Sequence, residues 1–333
     1  MNHFHYLSEL GEIALPNQQK LTEISEKNEQ PIIILDSCVC LDIITLIKHK
    51  KSARVDKIKI FNLIEYIQKN NIEAIPIFAL IELCYDKSTF EIQEDKLWDI
   101  KNKIDFALKY PIKRLKKLNF DYNQNFIPSK NPKLLVTSIA PLASNLNLYY
   151  AGLLKIREIS NNGLKNELAE KNIQKFIQWM INLDLFLGLE YSLALAIFGG
   201  DSKLRSMIKL GSTPEKVIKS LWGSAWDLFH ARISCNAPEL NKIFQKSTYP
   251  IFATRDYALY KLMAPHVENN IRYNSSKLTL RTKNEYPKHY SSEFINELNK
   301  TILQTSVDRI DKPIIYNHSK INSIIRELEA GLI

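Results

Sequence analysis

The chain is predicted to be an α/β protein with a central, mainly parallel sheet, enlarged by a helical insertion and a C-terminal extension. Three observations predict this. The run Ile32-Ile33-Ile34-Leu35 is too short for a helix and rich in β-branched residues, so it reads as a buried parallel strand. Strand-like and helix-like runs then alternate as far as Tyr85, the pattern of a sheet with crossover helices. From about residue 91 that alternation gives way to helical periodicity, and a strand pattern returns only at Tyr249.

Residues 1–30 read as a polar leader, followed by a strand over 31–35. A helix is expected to begin near Val39 and to carry Leu41, Ile44, Leu46 and Ile47 up to a basic break at Lys48–Lys51. Ile60, Leu63, Ile64 and Ile67 share one face of a helix over 58–68. Ala74–Ile77 is the next strand, and Phe78–Tyr85 a helix entered directly from it. Residues 91–212 form the helical insertion, with a looped middle at Pro128, Pro132 and Pro141. Leu164, Leu168, Phe176, Ile177, Met180, Leu187, Tyr191 and Phe198 trace a buried stripe along one long helix or two shorter ones, which Gly199-Gly200 stops. Thr213-Pro214-Glu215 starts a helix with a hydroxyl cap and proline at the first position. That helix runs into Trp226-Asp227-Leu228-Phe229-His230, with Gly223 as a point where it could break. Tyr249–Ala253 is a strand, followed by a short helix through Met263. Residues 271–333 form the extension, ending in a helix over Ile321–Leu332.

The chain has 333 residues, 45% of them hydrophobic and 24% charged, the composition of a soluble globular protein. Its net charge of +9 favours a polyanionic partner. The excess concentrates between Lys101 and Lys133, where Lys101, Lys103, Lys109, Lys113, Arg114, Lys116, Lys117, Lys130 and Lys133 face only Asp105 and Asp121. Such a run is either a solvated helix face or a nucleic-acid-binding surface. The neighbouring Tyr110, Phe120, Tyr122 and Phe126 could stack on bases or lie in the core. Cys38, Cys40, Cys84 and Cys235 fit neither a disulfide framework nor a zinc pattern and read as reduced, small hydrophobes of a cytosolic protein. Met1 to Ser25 lacks the apolar segment of a signal peptide. Leu183–Phe198, interrupted by Asp184 and Glu190, is too short to span a bilayer, so no membrane association is expected.

Four acids stand beside these apolar runs: Asp36, Glu82, Asp227 and Asp256. Asp36 follows its strand at the carboxyl end, where open α/β sheets place their ligands. A carboxylate buried there needs a cation, hydrogen bonds or water. Read singly, each acid has an ordinary explanation: a helix cap for Asp36 or Asp256, a surface position for Glu82, a solvated helix face for Asp227. Taken together they suggest a divalent metal. All-oxygen ligation, without a histidine or cysteine cluster, selects Mg²⁺ or Mn²⁺ over zinc.

The four stations resemble those of PIN-domain nucleases. Strand-Asp36-Ser37-Cys38-Val39 resembles the family's opening aspartate. Pro76-Ile77-Phe78-Ala79-Leu80-Ile81-Glu82-Leu83 is similar to its second station, and Ala225-Trp226-Asp227-Leu228-Phe229-His230-Ala231 to its third. Ile251-Phe252-Ala253-Thr254-Arg255-Asp256 resembles the fourth, a strand ending in threonine, a variable residue and aspartate. The resemblance covers residues 31–90 and 213–270, and the interval between Glu82 and Asp227 is far longer than in compact toxin members. It implies a Rossmann-like three-layer sandwich and endonucleolytic cleavage of RNA. Asp36, Glu82 and Asp227 would form the central metal cluster, and Asp256 a further direct or water-mediated ligand.

Ser37 and Thr254 are candidates to orient the ligands, and Arg255 to touch a phosphate. Ser224, Asp227 and His230 share a stripe of one helix, so His230 is a candidate for substrate contact or proton transfer as well as a structural histidine. Lys113, Arg114, Lys116 and Lys117 are the candidate nucleic-acid contacts. An inhibitory protein partner and self-association are both compatible with this reading, and the role as toxin, defence effector or processing enzyme stays open. The chain has no G-x-G-x-x-G after a strand and no P-loop, and Cys38 stands where a haloacid-dehalogenase-type phosphatase needs its second aspartate. The alternatives are a nuclease acting on DNA flaps or single strands, and a PIN-like scaffold that binds without cutting.

Overall fold

The computed structural model describes residues 4–8, 11–12, 14–49, 55–86, 91–118, 120, 122, 145–185, 187–268, 270–272, 279–281, 289–307 and 317–332. The chain forms two compact units, one of Met1–Leu142 with His230–Tyr260, the other of Ala143–Phe229 with Lys261–Ile333. The fold is mixed α/β.

The first unit is built on strands β1 (His5–Ser8), β2 (Gly11–Glu12), β3 (Gln30–Leu35) and β4 (Glu73–Ile75), a small ribbon of β5 (Tyr85–Asp86) with β6 (Glu91–Ile92), and β7 (Thr248–Thr254). The main sheet has the order β2-β1-β7-β3-β4. β3 lies parallel to both β4 and β7, with Ile34 opposite Ile75 on one side and Phe252 on the other. β1 runs antiparallel to β7, His5 opposite Thr254. Ile32, Ile33, Ile34 and Leu35 are all buried, as is every residue of β7. A central strand covered on both faces has no reason to alternate polar and apolar residues, so these segments read as continuous hydrophobic runs.

The leader expected over residues 1–30 is part of this sheet: it supplies β1 and β2, then α1 (Gln18–Glu26), capped by Asn17. α2 (Ser37–Ile47) starts two residues earlier than periodicity alone suggests, because Asp36 caps it through the Ser37 N–H. Leu41, on this helix as expected, is 46% exposed. α3 (Lys57–Lys69) is capped by Asp56, and α4 (Ile77–Cys84) follows β4 through Pro76 alone. α5 (Glu94–Lys109) packs against α2, α3 and α4, so this part of the segment predicted as an insertion belongs to the first unit. A short α6 (Ile112–Leu115) follows. The predicted loop around Pro128, Pro132 and Pro141 lies outside the described residues.

The second unit is helical, apart from a small ribbon of β8 (Asn270–Arg272) and β9 (Thr279–Arg281). α7 (Leu146–Asn161), α8 (Ala169–Asn182) and α9 (Gly188–Phe198) pack on one another. Of the predicted stripe, Phe176, Ile177 and Met180 fall on α8 and Tyr191 and Phe198 on α9, which ends at Gly199-Gly200 with Gly200 at φ +101°, while Leu164, Leu168 and Leu187 lie outside both helices. α10 (Pro214–Ser234) is continuous through Gly223 and carries its last residues, from His230 on, into the first unit. α11 (Ala237–Phe244) and α12 (Tyr257–Glu268) flank β7 in sequence. α13 (Ser292–Val307) and α14 (His318–Ala330) complete the chain, α14 packing on α7 with the Tyr150 hydroxyl donating to Glu329 Oε1 at 2.5 Å. Among the described residues, no helix is long and apolar enough to cross a membrane.

Candidate metal centre

β3 ends at Leu35, and the backbone N–H of Asp36 still donates to the Ala253 carbonyl of β7, at 3.0 Å. The ladder therefore fixes Asp36 at the carboxyl end of two parallel strands, and its side chain is 1% exposed. Burying a carboxylate is unfavourable unless its lone pairs are satisfied. Oδ1 accepts from the Ser37 N–H at 2.7 Å, while Oδ2 accepts from the Thr254 hydroxyl at 2.6 Å and from the Cys38 thiol at 3.0 Å. The Thr254 hydroxyl itself accepts from the Asp256 N–H at 3.0 Å, which leaves its proton directed at Asp36. That is the physical content of the threonine-x-aspartate pattern at the end of β7.

Glu82 and His230 complete the site. His230 Nδ1 stands 3.5 Å from Asp36 Oδ1 and 3.5 Å from Glu82 Oε2. One ligand-capable atom from each of Asp36, Glu82 and His230 lies within 4.8 Å of the other two. Glu82 Oε2 is buried without a hydrogen bond. Burial pushes the Glu82 carboxyl up to about 7, with the negative Asp36 adding to the rise and His230 opposing it. Burial also works against charge on Asp36, but His230, Cys38 and Thr254 together hold it below the ordinary carboxylate range. His230 is shifted upward: burial opposes its protonation, and the two acids outweigh burial.

These groups suit a divalent cation. Separations of 3.5 Å match neighbouring ligands on an ion with bonds of ~2.0–2.2 Å. The orphaned Glu82 oxygen is the kind of buried atom that a cation satisfies. The group differs from the all-oxygen set expected from sequence, because one imidazole stands with two carboxylates.

Of the four acids singled out from sequence, Asp36 and Glu82 come together and Asp227 and Asp256 are outside the group. Asp227 lies one turn before His230 on α10 and is half-buried. Asp256 caps α12, with Oδ1 accepting from the Ala258 N–H at 2.7 Å and the Leu259 N–H at 2.9 Å. Ser37 contributes its backbone N–H to Asp36, and Ser224 donates to the Met207 carbonyl at 3.0 Å within the second unit. Arg255 Nε pairs with the buried Asp42 at 3.1 Å. Asp201 caps the turn at Lys203 and Leu204 and pairs with Lys261.

Two contacts escaped the sequence reading. Cys38, taken as a plain hydrophobe, touches Asp36 and accepts from the Arg255 N–H at 3.2 Å. No spacing rule flags a thiol in that role. His230, a sequence candidate for substrate contact or proton transfer, was not foreseen between Asp36 and Glu82.

Lys113, Arg114, Lys116 and Lys117 are exposed on and after α6, Lys116 pairing with Glu65 at 2.8 Å. The aromatics beside them turn on each other: Phe120 and Tyr122 pack on Phe106, with ring centroids at 5.4 and 5.3 Å. Lys130, Lys133, Asp121 and Phe126 lie outside the described residues. Comparison with protein-family models, curated proteins and solved structures returns no match.

Proposed function

We propose that the chain is a metal-dependent nuclease of PIN-like, three-layer build that cleaves RNA, with Mn²⁺ as its preferred ion. The observation that carries this reading is the convergence of Asp36, Glu82 and His230 at the carboxyl end of parallel strands. An ion held there supplies an activated water and neutralises charge gathering on a phosphodiester. Asp36 is the fixed ligand, oriented by Thr254, Cys38 and the Ser37 N–H. Glu82 would be the adaptable one: with its carboxyl at about 7, it would give up a proton to an ion near neutral pH. His230 would hold the ion as the neutral imidazole. Asp227, one turn away, remains the candidate to reach the ion or the substrate through water. The net charge of +9 and the four exposed bases near α6 favour a polyanionic substrate, whose backbone they would hold.

The decisive experiment incubates the purified chain with labelled tRNA, mRNA and single-stranded DNA, in Mn²⁺ or in EDTA. Cleavage of RNA in Mn²⁺, absent in EDTA and in Asp36→Asn, supports the proposal. Cleavage of DNA alone reassigns the substrate.

One observation favours a second reading, a nucleic-acid-binding scaffold that does not cut. His230 Nδ1 is equidistant from both acids, so an imidazolium balances the Asp36 charge without an ion when the Glu82 carboxyl, raised to about 7, holds its proton. A scaffold shows no rise in Tm in millimolar Mn²⁺, whereas an ion that binds only the folded state raises it.

A further inference from the structure

Where β1 meets β7, three rings form a small stack. His5 lies on Tyr260 with centroids 4.2 Å apart and planes 13° from parallel. Tyr257 leans on both, 5.8 Å from His5 and 5.9 Å from Tyr260. Tyr257 is 47% exposed, and His5 and Tyr260 are partly exposed. The Phe106 group differs, because Phe106 itself is buried.

Topology ties this stack to the metal centre. His5 is directly opposite Thr254 in the antiparallel β1–β7 pair. Side chains of directly opposed residues project from the same face, with Cβ atoms ~5 Å apart. Thr254 is the residue whose hydroxyl donates to Asp36. Tyr257 is the first residue of α12, three places after Thr254, and the Asp256 cap fixes where that helix begins. The rings thus begin one residue pair away from a group that orients a metal ligand.

We infer that His5, Tyr257 and Tyr260 form a stacking platform for an unpaired nucleobase of a single-stranded nucleic acid, beside the phosphate presented to the Asp36–Glu82–His230 group. Its role at a scissile phosphate rests on the nuclease reading; the base-binding surface itself does not. Several features favour this occupant over a second copy of the chain. The rings are amphipathic rather than aliphatic, the platform is one exposed ring wide, and the chain carries a net charge of +9 that attracts the attached backbone. Aromatic faces accept any base, so the platform gives affinity and placement without strong sequence preference.

The test measures binding of the full chain, in EDTA, to a labelled single-stranded oligoadenylate and to an abasic strand of equal length. Wild type binds the base-bearing strand on the order of tenfold more tightly than the abasic one, and Tyr257→Ala removes most of that difference. Tyr257→Trp restores it. An unchanged ratio in Tyr257→Ala, or equal binding of both strands by wild type, overturns the proposal. So does a Tyr257→Ala variant that dissociates an oligomer while binding oligoadenylate as wild type does. Calorimetric Mn²⁺ uptake, measured in parallel, reports on the nuclease reading separately, since the EDTA assay needs no metal. An unaltered Tm in Tyr257→Ala excludes misfolding as the cause of lost binding.

Discussion

At Asp36, Glu82 and His230, side-chain chemistry makes separable predictions. Asp36→Asn, Glu82→Gln and His230→Ala should each abolish the rise of Tm in Mn²⁺, while Asp227→Asn, outside the group, should retain most of it. Differential scanning fluorimetry with and without Mn²⁺ reads all four. The pH dependence has a definite sign. The folded Glu82 carboxyl lies at about 7, above its ordinary 4.5. Its contribution to metal-free stability is therefore complete below about 4.5 and lost as pH rises through about 7. His230, also raised, acts in the same direction at higher pH, and Asp36, lowered, adds stability that disappears only in acid. Wild type without metal should thus lose stability between pH 5 and 8, and Glu82→Gln should lose less. Mn²⁺ runs opposite: it competes with these protons, so its affinity should rise through the same interval with proton release detectable by calorimetry in buffers of different ionisation enthalpy.

Among secondary-structure elements, the end of β7 and the start of α12 divide two tasks that sequence alone assigns to one motif. Thr254 works on Asp36, and Asp256 works on its own helix. Thr254→Val keeps the shape and removes the donor, which should cost ~1 kcal/mol of stability and weaken Mn²⁺ binding by roughly 10- to 100-fold. Asp256→Ala should cost about 1 kcal/mol as a lost cap and leave the Mn²⁺-induced rise of Tm intact. A rise abolished by Asp256→Ala would instead make Asp256 a ligand. Element boundaries follow the same local logic. α2 begins at Ser37 because Asp36 accepts the Ser37 N–H, a capping bond that apolar periodicity cannot reveal. α10 passes through Gly223 unbroken, since a single glycine costs a helix only ~1 kcal/mol and packing on either side outweighs it.

For the molecule as a whole, net charge and unit organisation matter most. Replacing Lys113, Arg114, Lys116 and Lys117 together with alanine should weaken RNA binding and flatten the slope of log affinity against log salt by up to about 3, if each base neutralises one phosphate of a single strand. Filter binding across a salt series checks this, with circular dichroism confirming the fold. An unchanged slope removes these bases from the interface. The sheet belongs to a unit assembled from two separated stretches of the sequence, Met1–Leu142 and His230–Tyr260, so deletion of either stretch should destroy the Asp36 group along with the fold.

The polypeptide's local chemistry was enough to locate β3, β7, the strand–helix step at Pro76, the Thr213-Pro214 helix start, and two of the three side chains that cluster, Asp36 and Glu82. Those features are short-range: a β-branched run, a turn residue, a cap, an acid one residue beyond a strand. Chain folding decided the rest. It recruited the leader as β1, brought α5 against α2 to α4, and put His230 between two acids that lie far from it in sequence. Asp227 and His230 are separated by under one turn of α10, and no pattern of residue types says which of them faces Asp36. The rotation of that helix makes the choice, and with it places an imidazole beside the two acids.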